Sequence, residues 1–108
     1  ALHTRRTELD ARATRLNDEY GALHARGPAN SPIGADPHAI DAHRGHADAV
    51  RANRLAIADV HDEIATVYEQ LVTAEPSLAE EHRTQSDWHR HASTQARGYA
   101  DLLNGTGH

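Results

Sequence analysis

Apolar residues recur along this chain at helical intervals, and three segments carry the pattern. In the first, LHTRRTELDARATRLNDEYGALHARG, Leu2, Leu9, Leu16 and Leu23 are seven residues apart, with Ala13 and Tyr20 beside them. That spacing predicts a helix over about 2–26 with one narrow coiled-coil seam. Gly27 and Pro28 end it, because Gly accepts the left-handed conformation that closes a helix and Pro cannot continue one. A loop over about 27–36 follows. Asp36-Pro37 then reads as a helix start, the carboxylate accepting from a free backbone N–H and Pro occupying the first turn.

From His43 the seven-residue spacing runs through Val50, Ile57, Ile64 and Leu71, and Val60, Val67, Tyr68 and Val72 widen the stripe. A stripe this broad needs two neighbours, so the helix over about 37–74 should lie between the other two. Glu75-Pro76 interrupts the pattern, and Ser77 with Glu80 forms the S-x-x-E box that commonly opens a helix. A hairpin is favoured there over one long helix kinked at Pro76. The last helix, about 77–104, carries Leu78, Trp88, Ala92, Ala96, Tyr99 and Leu103 on one face. The fold expected is all-α: a single elongated antiparallel three-helix bundle or coiled coil with the second helix longest.

Composition changes this picture in one respect. The chain has 108 residues with no Phe, no Met, no Cys and one Trp, so its core is thin. A lone three-helix unit built mainly on Leu, Val and Ala is marginal, and self-association is the ordinary remedy. The partner expected is a second copy of the chain, a dimer being favoured, with a protein partner as the other possibility. Leu9, Leu16, Val50, Ile57, Ile64, Leu71 and Trp88 are the expected core and interface residues. His46 and Asn53 are polar positions on the seam, where a buried polar group can fix register. The competing expectation is that the helices splay there and leave both hydrated.

Charge and composition narrow function by exclusion. The formal net charge is −5, and the eleven cations, all Arg, are scattered rather than gathered into a stripe. No nucleic-acid partner is expected from that distribution. The absence of Cys removes thiol chemistry and Cys-based zinc sites. No apolar run approaches the roughly 20 residues a membrane-spanning helix needs, so no membrane partner and a cytoplasmic location are expected. The Ser residues lack a nucleophile elbow, and the neighbouring acidic pairs point around their helices rather than across a cleft. A non-enzymatic role as a helical interaction or oligomerisation module, in a bacterial regulatory or assembly protein, is the leading expectation.

Ten histidines keep two chemical alternatives open. Asp59-Val60-His61-Asp62-Glu63-Ile64-Ala65 resembles the phosphoacceptor box of sensor histidine kinases. That resemblance implies a phosphotransfer or dimerisation helix in which His61 accepts phosphate and Asp62 takes its proton. The chain has no Gly-rich nucleotide-binding segment, so it would act as a phosphotransfer module and not as a kinase. The plainer alternative is that His61 is an edge residue of the apolar stripe.

The second is a metal or pH sensor. His43 and His46 share a helix face, His61 should come level with His89 across the hairpin, and His82 should lie a turn or two away. Imidazole nitrogens on facing helices are common ligands of zinc and other divalent transition metals, although no cofactor is the leading expectation. In texture, the His- and Arg-rich run from His61 to Arg97 also resembles helical segments beside GAF and ANTAR signalling domains.

Overall fold

A computed structural model describes residues 1–26 and 37–105, with side chains described for 1–25 and 44–103. Three α-helices follow one another: α1, Leu2–Arg26; α2, Pro37–Ala74; and α3, Ala79–Gly105, the last preceded by a single 3-10 turn at Pro76–Leu78. The all-α fold, the three helices and the longest-helix role of α2 are as the periodicity indicates. The predicted loop at 27–36 and the Asp36 cap lie outside the described residues. No described helix is long and apolar enough to cross a membrane.

The hairpin at Glu75-Pro76 forms, but the S-x-x-E box does not open α3. Glu75 leaves helical geometry with φ −130° and ψ 72°, as expected of a residue that must avoid the following proline ring. Pro76 begins the 3-10 turn, Ser77 lies inside it, and the turn runs into α3 through Ala79 in right-handed helical geometry. Proline placement, not a serine cap, sets the corner.

α2 is the central layer, and α1 and α3 pack antiparallel on either side of it. His3 meets Glu75 while the Asn53 side chain meets the Leu16 carbonyl, which fixes the direction of α1 against α2. His82 meets Glu75, and Arg97 reaches Asp59, which fixes α3. Among the described residues α1 and α3 nowhere bring Cα atoms within 8 Å of each other. The bundle is therefore open along one side, and its extents are 62 × 24 × 15 Å.

α1 and α3 each contribute one row to the interior at alternating three- and four-residue steps, and α2 adds the fully buried Ala58 and Ala65 beside its own row. Leu9 and Ala13 of α1, with Leu2 and Leu16 partly buried, face Ile57, Val60, Ile64, Val67 and Leu71 of α2. Val50 extends the α2 row. Of the seven residues expected in the core or at an interface, six are buried or packed against the core, and Trp88 is 60% exposed.

The buried row of α3 explains the exposure of Trp88. It consists of His82, Ser86, His89, Ser93, Ala96 and Ala100, and Trp88 sits beside this row rather than on it. Small Ser and Ala side chains let α3 lie close to α2, and an indole on that row would hold the helices apart.

Asn53 is buried at 3% exposure, and both its amide nitrogen and its amide oxygen are hydrogen-bonded. Its Nδ2 donates to the Leu16 carbonyl at 2.9 Å, and its Oδ1 accepts from the Arg54 guanidinium at 2.7 and 3.1 Å. Asn53→Ala removes the side-chain tie between α1 and α2 and leaves a small void. A loss of about 1–2 kcal/mol is expected in urea unfolding; an unchanged midpoint would show that this tie adds nothing to stability.

Candidate functional site

Two features stand out once the helices are in place: a ladder of aromatic and imidazole rings along the α2–α3 seam, and a groove on the open side between α1 and α3.

The ladder arises because α3 offers His at 82 and 89, seven residues apart, opposite α2 positions 68 and 61 and the corner residue Glu75 at the same pitch. His61 and His89 meet with their Nδ1 atoms 2.8 Å apart, so one ring donates its proton and the other accepts it. Trp88 stands edge-on to both, with ring centroids at 5.7 Å from His61 and 4.8 Å from His89. Tyr68 stacks on His89 and lies tilted against His82. His82 Nε2 donates to Glu75 Oε1 at 2.8 Å, and His3 Nε2 of α1 donates to Glu75 Oε2 at 2.8 Å. One carboxylate, on the corner that follows α2, thus ties α1 and α3 together at this end of the rod.

The electrostatics follow from these neighbours. Burial lowers the His89 pKa to about 4, with the adjacent His61 adding to the shift and Asp10 opposing it. His61 is also lowered, first by burial and then by Arg54, against the attraction of Asp62 and Asp10. The lowered values disfavour the charged form of both imidazoles, and their mutual hydrogen bond needs at least one of the two rings to be neutral. The hydrogen bonds from His3 and then His82 hold the Glu75 carboxyl below its ordinary value. Burial raises Asp62, but hydrogen bonds from Arg97 and Ser93 outweigh it and leave the net shift downward.

The expected level pairing of His61 with His89 is present, and so is His82 two turns further along. Asp62 turns to Arg97 at 2.7 Å and to Arg90 at 3.5 Å. Arg90 also pairs with Glu69, and Arg97 with Asp59 at 2.8 Å. His46 is not brought to the pair: it precedes His61 by fifteen residues on the same helix, about 22 Å along the axis. The His43 side chain lies outside the described residues. Among the described residues no group of three or more His, Cys, Asp or Glu is arranged to hold a metal ion.

The groove has a volume of about 430 Å³ and is floored by Arg54, Ile57 and His61 of α2. Asn17 and Tyr20 form its α1 wall, and Trp88, Ala92, Gln95 and Tyr99 its α3 wall. Tyr20 and Tyr99 face each other edge to face at 6.4 Å. The Arg54 guanidinium lies 3.8 Å above the Tyr20 ring, a cation–π contact. Tyr20 also hydrogen-bonds His24 at 2.8 Å.

Sequence reasoning passed over Tyr20 as a groove residue, and it did not foresee Glu75 as the carboxylate between His3 and His82. The seven-residue spacing of Glu75, Tyr68 and His61 against His82 and His89 was the available signal for the ladder. Comparison with protein-family models, curated proteins and solved structures finds no match.

Proposed function

We propose that this chain is a non-catalytic helical interaction module that associates with a second copy of itself through the open side between α1 and α3. One observation carries the reading. The large apolar side chains left exposed among the described residues are Leu78, Trp88, Tyr99 and Leu102, and all four lie on α3 or the turn that leads into it. Scattered exposed apolar residues are ordinary, but two of these, Trp88 and Tyr99, line the unfilled groove, and that concentration supports an interface there. The thin core supports the same reading, since association would cover a second apolar face.

Trp88 is the expected anchor, because a large aromatic at the centre of an interface commonly dominates its energy. Trp88→Ala is expected to weaken self-association by about 2 kcal/mol, roughly thirtyfold in Kd, in sedimentation equilibrium. Helicity should persist, because the indole is mostly exposed in the single chain. Unchanged association with intact helicity would remove Trp88 from the interface.

A second reading, pH sensing, is favoured by the His61–His89 contact. Two neutral imidazoles sharing one proton cannot both be charged without parting, so acidification below neutrality acts directly on the α2–α3 seam.

A further inference from the structure

The four exposed apolar residues fall on one row that begins at Leu78 in the turn and continues along α3. At alternating steps of three and four residues, the row reads Leu78, Glu81, Gln85, Trp88, Ala92, Gln95, Tyr99, Leu102. It runs beside the buried row that holds α3 on α2, so the helix carries two adjacent stripes. One is used within the chain. The other lines the groove at Trp88, Ala92, Gln95 and Tyr99.

Read in reverse, this row complements itself. Reversal about residue 90 sets Leu78 against Leu102, Glu81 against Tyr99, Gln85 against Gln95, and Trp88 against Ala92. Every pairing is chemically matched. Leucine meets leucine at both ends, the carboxylate meets a phenol that can donate to it, and amide meets amide. The largest side chain in the row meets the smallest.

The alternatives are poorer. A parallel pairing would oppose Glu81 to its own copy, stack indole on indole, and leave a gap at Ala92. An antiparallel pairing shifted by one heptad would set Leu78 against Gln95 or Leu102 against Gln85, and would shorten the contact by two layers. Self-complementarity of one patch under a two-fold axis is what an isologous dimer requires.

We infer that two copies pair through antiparallel α3 helices on a two-fold axis near residue 90, with Leu78 against Leu102 of the other copy and Trp88 against its Ala92. This rests on the self-association reading above and adds its geometry.

Area constrains the arrangement further. The row spans about 36 Å at 1.5 Å per residue. A contact strip one helix wide, about 11 Å, buries about 400 Å² per copy. The resulting 800 Å² or so in total falls short of the roughly 1,200 Å² of a stable interface. A stable pair therefore needs contact beyond this strip, and the groove walls at Tyr20 and Asn17 of α1 are the surface adjacent to it.

The chain has no Cys, so engineered thiols report the pairing directly. Gln85→Cys and Gln95→Cys are made separately, each leaving the apolar row intact. Mild oxidation is then followed on each alone and on their mixture, alongside the solution mass of each variant. In the inferred register Gln85 faces Gln95 of the other copy, within disulfide reach. Each lies about 15 Å from its own counterpart, which is beyond it.

The result expected is rapid disulfide formation in the mixture, at least tenfold faster than in either variant alone. Fast disulfides in the separate variants would mean a parallel pair and overturn the inference. A dimer by mass whose mixture forms no preferred disulfide would overturn this register while leaving self-association standing. A monomeric mass would overturn both.

Discussion

Ile64→Asp is expected to abolish cooperative folding. Ile64 has no exposed surface and lies in the cluster formed with Leu9, Ile57, Val60, Val67 and Leu71. Replacement removes a full aliphatic side chain from that cluster, a loss of about 3 kcal/mol before any charge is considered. The carboxylate then has to be buried without a partner or take up a proton, which costs several kcal/mol more. Against a typical stability of about 5–15 kcal/mol, and fewer for so thin a core, the sum removes most or all of the margin. Circular dichroism on heating should show a broad, non-cooperative loss of helix. Ala11→Asp is the matched control: Ala11 is exposed on α1, Arg15 is one turn further on, and the change should stay within about 0.5 kcal/mol. A cooperative transition near the parent midpoint for Ile64→Asp would remove Ile64 from the core.

The second large effect is loss of stability in mild acid. His89 has a folded pKa of about 4, against an unfolded value of about 6.5. Between those values the unfolded chain takes up a proton that the folded chain does not, so the neutral pair's contribution is full above about pH 6.5. It is lost progressively as pH falls toward 4. His61 is shifted in the same direction by its burial and by Arg54.

The loss expected between pH 7 and pH 4.5 is on the order of 2 kcal/mol. Glu75 and Asp62 respond lower down. Their carboxyls are held below the ordinary value by their hydrogen-bond partners, so their contribution is lost only below about pH 4.5. His89→Phe keeps a ring against Tyr68 and cannot be protonated. Because it also removes the hydrogen bond to His61, its urea midpoint should fall at pH 7 and then change less than the parent's between pH 7 and pH 5. Parallel pH profiles for the two proteins would show that His89 is not the group responsible.

Much of the fold was legible because leucines and β-branched residues repeat at seven-residue intervals in α1 and α2, and no other element satisfies that period. Proline at 76 fixed the hairpin. α3 was harder to read, because its buried row is His82, Ser86, His89, Ser93, Ala96 and Ala100, of which only the last two look apolar in sequence. Its more hydrophobic row, with Trp88 and Leu102, faces outward. A reading that places the apolar row inside assigns Trp88 to the wrong side of the helix, and only the packing distance between α2 and α3 reverses that choice.

The site was legible in part for the same reason. His61 and His89 could be set level by counting back from the hairpin. The role of Glu75 depended on where the proline corner left its carboxylate, and the groove on α1 and α3 failing to close. Neither property is local to any run of residues. The Arg97 contacts with Asp59 and Asp62, thirty-eight and thirty-five residues away, are of the same kind.

Self-association is the central claim, and solution mass by light scattering across a concentration series, with and without chelator, tests it most directly. The account expects a mass of twice the chain's 11.8 kDa that falls toward the single-chain value only on strong dilution and does not respond to chelator. A single-chain mass at every concentration would contradict it, and a dimer that dissolves on adding chelator would move the histidines from the seam's packing to the binding of a metal.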